Sequence, residues 1–500
     1  MILLLSAVLF CGNGQGGWNL GVSRVVITPP EPVWMAGYAS RTKPAEGKAS
    51  DLFVRGMALR DESGNTGLVL TLDLVGIDAD TSARWSSAIA KEHKLARKAM
   101  VLACSHTHCG PVVGSTLRDM YPVTDADRQA SARYETFLEG QVLQAARQAL
   151  ADLRPARLSW HTGTCGFAVN RRNNPEAQVE KLRAESTLKG PVDHGVPVLA
   201  ARDPEGKPRA VLFGYACHAT TMGFQQWYGD WPGEACAMLE KNIRQERGDE
   251  QGVALFLAGC GADQNPLPRR RIELAVEYGK QLARSVQEAQ NRPGIPVKGA
   301  LKMAWDQVDL PLEAPPGRDT LLDQEMSKDK VVAARARRLL AQLNAGQPLP
   351  TAYPAPVQAW AVGDSHGLVF LPGEVVVDYA LRLPKELPDR TWWAGSYAND
   401  VMAYIPSRRV RKEGGYEGEK AMVYYGLPAP WREEVEEVLV GGVKRVAATA
   451  LASDGMGFAV PQVDWGQGFS VGSDTSGERL FFRRLQGSRA WVQENTGRNR

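Results

Sequence analysis

Apolar runs alternate with helical patterns along the first third of the chain. Continuous apolar stretches at 66–77 and 100–105 predict buried strands, and the segment 83–94 between them predicts a helix. A long helical pattern at 125–153 ends before Pro155, because proline cannot continue a helix. This order predicts an α/β fold, with a mixed β-sheet core flanked by helices and an active site at the strand ends.

The same alternation continues through the rest of the sequence. Segments 196–201 and 209–217 predict two antiparallel strands, because Asp203-Pro204-Glu205-Gly206 between them is a strong turn signal. Helices are predicted at 234–247, at 272–291 and after Pro372-Gly373-Glu374. The segment 319–343 predicts a charged, solvent-facing helical region. Strands are predicted at 252–260, 358–370 and 391–399.

The amino terminus and the charge balance limit the classes of partner. Residues 2–11 are almost all apolar but too few to span a bilayer, so we predict a signal peptide at 1–18, although no Lys or Arg precedes the run. The protein is then secreted or periplasmic, with at most peripheral membrane contact. Formal net charge is only +3 and no long basic run occurs, which excludes a nucleic-acid partner.

Seven cysteines occur and none forms a C-x-x-C pair, so buried free thiols are the expected state, although export would permit disulfides. Two histidines follow the strand at 100–105, in Cys104-Ser105-His106-Thr107-His108-Cys109-Gly110-Pro111. If extended geometry persists, His106 and His108 point to the same side. They could share a metal, act as one ligand and one proton carrier, or form a hydrogen-bonded pair at a strand end.

Other candidates each have a structural interpretation when taken alone. His218 follows a predicted strand and could be an ordinary buried histidine. Glu374 follows Pro-Gly and could stabilise a helix N-terminus through the helix dipole. Tyr404 and Tyr416 lie in a loop region, where tyrosines usually serve packing.

Taken together, these segments resemble the neutral/alkaline non-lysosomal ceramidase family, in a short bacterial-type version. The resemblance runs over about residues 20–430 in family order, and its most specific block is His-Thr-His-Cys-Gly-Pro. Two tyrosines in the family lie twelve residues apart with Glu after the second, and here Tyr404 and Tyr416 have that spacing and Glu417 follows. The remaining matching segments are Ile27-Thr28-Pro29-Pro30, Met35-Ala36-Gly37-Tyr38, Val169-Asn170-Arg171, Tyr215-Ala216-Cys217-His218 and Pro372-Gly373-Glu374.

The resemblance implies one zinc ion per chain and an amidohydrolase activity. By attack of zinc-activated water, the enzyme would cleave the N-acyl bond of ceramide or a related N-acyl lipid, giving a fatty acid and a sphingosine-like amine. Residue by residue, the resemblance implies the zinc ligands His106, His218, Glu374 and Tyr416, and the substrate-contact residues His108, Arg171 and Tyr404.

The chain departs from the family pattern in three places. Asn265 stands where the family has a serine considered catalytic, so a covalent serine mechanism is not expected. The C-terminal immunoglobulin-like domain does not fit into the remaining residues, so we expect a catalytic domain at 19–440 and a short extension at 441–500. The aromatic loop 224–231 is either a packed lid or one wall of an acyl-chain groove.

Two alternatives remain open from the sequence. The chain could be a zinc hydrolase of another acyl amide or ester on the same scaffold. It could instead be a non-catalytic lipid-binding relative, although every implied ligand and contact position holds a residue of the expected type. The sequence leaves the oligomeric state open.

Overall fold

The computed structural model describes residues 17–387 and 389–452. The strands in this part of the chain are β1 (Trp18–Val26), β2 (Gly47–Lys48), β3 (Phe53–Arg60), β4 (Thr66–Leu72), β5 (Met100–Cys104), β6 (Arg154–Thr164), β7 (Ala168–Asn170), β8 (Gly195–Arg202), β9 (Pro208–Tyr215), β10 (Gln226–Trp227), β11 (Val253–Ala258), β12 (Gln264–Pro266), β13 (Ile295–Pro296), β14 (Leu301–Pro311), β15 (Ala352–Val362), β16 (His366–Phe370), β17 (Glu374–Val375), β18 (Thr391–Gly395) and β19 (Tyr404–Ile405).

The helices of the described residues mostly follow the predicted segments. They are α1 (Ala79–His93), α2 (Asp125–Ala151), α3 (Val179–Ala184), α4 (Asp230–Arg247), α5 (Ile272–Gln290), α6 (Arg318–Glu325), α7 (Lys330–Asn344), α8 (Val377–Glu386), α9 (Arg408–Glu413), α10 (Gly415–Gly418) and α11 (Val435–Leu451). The charged segment at 319–343 forms two helices, α6 and α7, rather than one. None of the described helices is long and apolar enough to cross a bilayer.

The predicted terminal segments lie largely outside the described residues. The apolar run of the signal peptide falls within residues 1–16, and the C-terminal extension beyond residue 452 is likewise outside. Helix α11 continues through the predicted boundary at residue 440. The division of the chain into these segments therefore stays a prediction.

A large mixed sheet forms the first layer of the core, and it confirms the predicted fold class. Its strand order is β11-β9-β8-β6-β1-β3-β4-β5, with β13 also pairing with β6. The pairs β11–β9 and β4–β5 are parallel, and the others are antiparallel. The predicted hairpin of β8 and β9 is among the antiparallel pairs.

A second sheet, β14-β15-β16-β18, packs face to face on the first. Helices α2, α4 and α5 cover the outer face of the large sheet, and α8 and α11 cover the second sheet. Because both faces of the large sheet are buried, β4 is a continuous apolar run: Leu68 and Leu70 face the helices, whereas Val69 faces the other sheet. Gly67 permits this close packing, since a Cβ there would lie 2.7 Å from the Trp360 ring.

The segment that follows β18 links the two edge strands of the large sheet. Ala398 pairs with Ala103 at the end of β5, and Gly395 pairs with Gly259 just after β11. The carboxyl ends of β5, β9 and β11 are therefore brought together, and the loops that leave them meet at one place. The loops after β5 and β9 carry His106 and His218, and the loop after β11 leads into β12, which carries Asn265.

A buried ionic cluster connects the large sheet to α4. Arg55 on β3 lies 3.0 Å from Asp73 and 2.9 Å from Glu240, and its side chain is only 3% exposed. Burial costs each charge its hydration, so each ion is stable there only while its partners remain.

Removal of the Arg55 charge should therefore destabilise the fold strongly. We expect Arg55→Met to lower the free energy of unfolding by about 3–5 kcal/mol, because Asp73 loses its ion-pair partner and Glu240 keeps only the partly exposed Arg24. Chemical denaturation measures this loss. Arg128→Ala, which breaks an exposed ion pair with Asp125, should cost at most about 1 kcal/mol. Equal losses of unfolding free energy in the two variants would contradict a stabilising role for the buried Arg55 cluster.

Candidate metal centre and active site

The two histidines after β5 converge, but not by the alternation of a strand. The strand ends at Cys104, and His106 has a positive φ of 60°, so the predicted extended geometry does not persist. The chain instead turns at His106, and the His108 amide then donates to the Ala219 carbonyl. The two Nε2 atoms come to lie 3.1 Å apart.

Backbone carbonyls fix the tautomers of His106 and His218. His106 Nδ1 lies 2.6 Å from the Val75 oxygen, and His218 Nδ1 lies 3.0 Å from the Gly261 oxygen. A carbonyl can only accept, so each Nδ1 carries the proton and donates. In the neutral form of each ring, Nε2 then presents a lone pair to the centre of the site, which is the arrangement of a metal-binding imidazole.

Glu374 and Tyr404 enter the site as direct neighbours in a short parallel ladder. β17 pairs with β19 so that Glu374 lies opposite Tyr404. Glu374 Oε2 is 3.1 Å from His106 Nε2 and 3.0 Å from His218 Nε2. The Tyr404 hydroxyl is 3.2 Å from His218 Nε2. Gly373 makes the preceding turn at a φ of 67°, where a Cβ would lie 2.6 Å from the Ala403 oxygen.

This donor set fits a divalent metal ion. Glu374 Oε2 is buried and has no hydrogen-bond donor among the described residues, because the two nitrogens that face it carry lone pairs. Burial and the Arg171 charge lower the pKa of His218 to about 4. A carboxylate facing neutral imidazoles leaves a buried negative charge that a cation would balance.

His108 differs from the other two imidazoles in its hydrogen bonding. The Nδ1-protonated tautomer of His106 makes its Nε2 an acceptor, and in that tautomer the contact between the two rings has His108 donating from Nε2. Its Nδ1 is buried and has no hydrogen-bond partner among the described residues. Burial and the two neighbouring imidazoles lower the pKa of His108 well below its usual range. Gly37 packs on the ring so closely that a Cβ there would overlap it.

The His108 side chain could join the other histidines or remain a proton carrier. The ligand atoms of His106, His108 and His218 all lie within 4.8 Å of one another, so three imidazoles could reach one ion. The His108 proton, however, points at His106 Nε2 rather than at a carbonyl. This geometry favours a neutral imidazole that can move a proton at the edge of the site.

Arg171 brings a fixed positive charge beside Tyr404. Its Nη2 lies 3.2 Å from the Tyr404 hydroxyl, and its Nη1 lies 3.2 Å from Asn265 Oδ1. Glu417 holds the guanidinium through Nε at 2.7 Å and also binds Arg172 at 2.6 Å. The arginine therefore has a defined orientation with its charge directed into the site.

The structure brings Tyr404, rather than Tyr416, to the imidazole and carboxylate cluster. The Tyr416 side chain is 44% exposed, and its ring lies 5.4 Å from that of Tyr404. The Arg171 guanidinium carbon is 5.8 Å from the Tyr416 ring centre. Among the residues that the structure describes, Tyr416 has no hydrogen bond to the cluster. Of the two tyrosines, Tyr404 therefore reaches the cluster and Tyr416 does not, and the roles that the resemblance implies for them stay predictions.

Asn265 and the aromatic loop 224–231, two of the departures from the family pattern, lie near the site. Asn265 pairs with Val169 between β12 and β7, and its Oδ1 also lies 3.5 Å from the Thr220 hydroxyl. In the aromatic loop, Trp227, Tyr228 and Trp231 are buried, and the Trp231 indole donates to the His218 oxygen at 2.9 Å. This loop is packed under His218, in agreement with the packed alternative.

The cysteines at 104–260 are all buried free thiols, and Cys11 is outside the described residues.

Comparison with known proteins assigns the family. The sequence profile of the neutral/alkaline non-lysosomal ceramidase N-terminal domain matches residues 18–267, which is half of the chain. The chain belongs to this family. The match contains His106, His108, Arg171, His218 and Asn265, whereas Glu374 and the tyrosines lie beyond it.

One curated relative and two solved structures that are similar to this chain are named as ceramidases. Neutral ceramidase B of Dictyostelium discoideum is 25% identical over 271 residues, which is 51% of this chain but only 36% of the relative. The neutral ceramidase of Pseudomonas aeruginosa aligns with a TM-score of 0.68 at 19% identity, covering 88% of this chain and 75% of that one. A ceramidase complexed with C2 aligns with a TM-score of 0.68 at 17% identity, covering 87% and 75%. At these identities the structures establish the fold.

Two tyrosines near the site were not predicted from the sequence. The Tyr397 ring stacks on His106 with ring centres 4.3 Å apart, and the Tyr425 hydroxyl donates to Glu374 Oε1. Both residues are distant from their partners along the chain, and neither stands in a recognisable spacing. Only the clustering of Tyr404, Tyr416, Tyr424 and Tyr425 hinted that this segment approaches the site.

Asp400 supports the turn that carries Glu374. Its carbonyl accepts from the Gly373 amide at 2.7 Å, and its Oδ2 accepts from the Tyr353 hydroxyl at 2.7 Å. Burial, together with the nearby Asp78 and Asp80 charges, raises the pKa of Asp400 to about 8, despite the Tyr353 bond. The side chain is therefore protonated at neutral pH.

This protonation should make stability depend on pH in a defined direction. The folded state holds the Asp400 proton up to about pH 8, whereas the unfolded chain releases it near 3.8. The stability that this bound proton contributes is therefore complete below the unfolded-state pKa of 3.8 and declines as pH rises towards 8. Asp400→Asn, which mimics the neutral acid, should gain stability relative to the wild type as pH rises through this window. Chemical denaturation at several pH values tests this, and a constant difference would contradict it.

Proposed function

We propose that this chain is an exported metal-dependent amidohydrolase that cleaves the N-acyl bond of ceramide or a related N-acyl lipid. The observation that carries the proposal is the pair of Nε2 atoms that face one buried carboxylate oxygen at 3.1 and 3.0 Å. Family membership supports the chemistry, and the names of the relatives support an acylated sphingoid substrate. The aligned region is only about a third of the curated relative, so we propose the substrate and activity of this chain and do not transfer them from that relative.

The residues that would hold the metal are His106, His218 and Glu374, with the Tyr404 hydroxyl as an oxygen ligand. Two nitrogen and two oxygen donors around an open position would suit zinc-dependent hydrolysis, although a tyrosine oxygen is an uncommon ligand. We assign Tyr404 instead of Tyr416 because its hydroxyl lies 3.2 Å from His218 Nε2. When bound, the ion would supply Lewis acidity, which polarises an amide carbonyl and lowers the pKa of water.

The chain's own residues would position the amide and move the proton. Arg171 is held by Glu417, so its charge can stabilise negative charge on the amide oxygen without reorganising. Tyr416 is partly exposed beside Arg171 and can donate to the same oxygen. Neutral His108 can take up a proton at the edge of the site and deliver it to the leaving amine.

Metal binding and the two tyrosine roles can be tested together. We expect one Zn²⁺ per wild-type chain and loss of binding in His106→Ala, measured by elemental analysis after dialysis. Tyr404→Phe should weaken Zn²⁺ binding, whereas Tyr416→Phe should retain it and lower kcat by about 10²–10³-fold, the effect of removing one oxyanion donor. Weaker binding in Tyr416→Phe alone would restore the assignment implied by the resemblance. Wild-type protein without stoichiometric metal would favour the non-catalytic lipid-binding alternative.

Asn265 is a specific reason to test substrates other than ceramide. Arg171 occupies its Oδ1, so the amide offers donors where a serine would offer both a donor and an acceptor. We expect hydrolysis of a fluorescent N-acylsphingosine, and Asn265→Ser should raise its kcat/KM relative to shorter N-acyl amides. Zn²⁺ binding without turnover of the sphingosine substrate, but with turnover of another acyl amide or ester, would support the second hydrolase alternative.

A further inference from the structure

Glu374 has a hydrogen-bond partner that none of the predicted roles includes. The Tyr425 hydroxyl contacts Oε1 of Glu374, and because a carboxylate can only accept, the phenol donates. The other oxygen, Oε2, is the one that faces His106 and His218. The two oxygens of this carboxylate therefore have different partners: Tyr425 binds one, and the other is directed at the metal centre.

The position of Tyr425 is fixed by packing on both sides. Its ring is partly buried against three apolar clusters of the core and lies 6.3 Å from the Tyr404 ring in an edge-on arrangement. The two tyrosines thus form a pair that borders the carboxylate. A phenol held in this way loses little conformational freedom when it donates to Glu374.

The loop that carries Tyr425 is anchored from helix α7. Arg338 donates from Nη2 to the Gly426 oxygen at 2.6 Å and from Nε to Asp119 Oδ2 at 2.8 Å. Gly426 has a φ of 73°, and a side chain there would overlap the Arg338 guanidinium. The α6–α7 pair, remote from the catalytic residues in sequence, therefore supports the Tyr425 loop.

We propose that Tyr425 is a positioning residue for the metal centre, because it holds Glu374 Oε1 and thereby directs Oε2 at the ion. The inference rests on the proposed function and deepens it, since it concerns how the same site holds its metal. Hydrogen bonds to ligating carboxylates orient the ligand, and their loss typically lowers metal affinity about 10–100-fold. Tyr425 does not need to touch the substrate for this effect.

The direct test is the Zn²⁺ affinity of metal-free protein, measured by competition with a chromogenic chelator. Tyr425→Phe removes only the hydroxyl, and we expect its Kd for Zn²⁺ to rise about 10–100-fold. Tyr424→Phe is the matched control, because this neighbouring tyrosine is also partly buried but contacts the Tyr416 ring instead. The control should bind Zn²⁺ with the wild-type Kd.

A second readout separates positioning from a general loss of stability. Thermal unfolding of the metal-free proteins should be similar for wild type, Tyr425→Phe and Tyr424→Phe, and excess Zn²⁺ should restore occupancy of Tyr425→Phe. An unchanged Kd in Tyr425→Phe, while Glu374→Gln abolishes binding, would overturn this inference alone. A wild-type protein that binds no Zn²⁺ would overturn it together with the proposed function. A higher Kd in both tyrosine variants would show a non-specific effect and also overturn it.

Discussion

The site depends on two imidazole lone pairs that face one buried carboxylate oxygen. Backbone carbonyls of Val75 and Gly261 hold both Nδ1 protons, so in the neutral rings both Nε2 atoms present lone pairs to Glu374. In the absence of a cation this arrangement places negative and lone-pair density together inside a low-dielectric core, which is unfavourable. The rest of the fold must therefore hold these groups in place until an ion satisfies them, and this requirement explains why the supporting contacts are so numerous.

The two-sheet core provides that rigidity. The large sheet is buried on both faces, and its edge strands β5 and β11 are linked through the segment after β18. Three loops that begin at strand ends consequently meet at one point, and the short β17–β19 ladder adds Glu374 and Tyr404 from the second half of the chain. Protein interiors pack closely enough that such an arrangement resists small displacements. Catalytic residues on loops then gain the precision of the sheets that carry them.

The site also shows how a family pattern can be kept while its details change. Asn265, at the position where the resemblance implies a serine, accepts from Arg171 and helps to orient the guanidinium. Tyr425 and Glu417 each fix a charged group from the loop that contains Tyr416, and neither has to contact the substrate.

The sequence by itself determined the fold class and the family, and it singled out His106, His108, His218 and Glu374 as candidates, which the structure places together. Continuous apolar runs predict strands buried on both faces, and local turns such as Pro372-Gly373-Glu374 are readable because proline and glycine act over a few residues. Only the tertiary structure decided which tyrosine reaches the cluster, that His106 turns the chain with a positive φ, and that Tyr425 binds Glu374. Those contacts join residues far apart in sequence. Their choice depends on packing between the two sheets, which no local periodicity encodes.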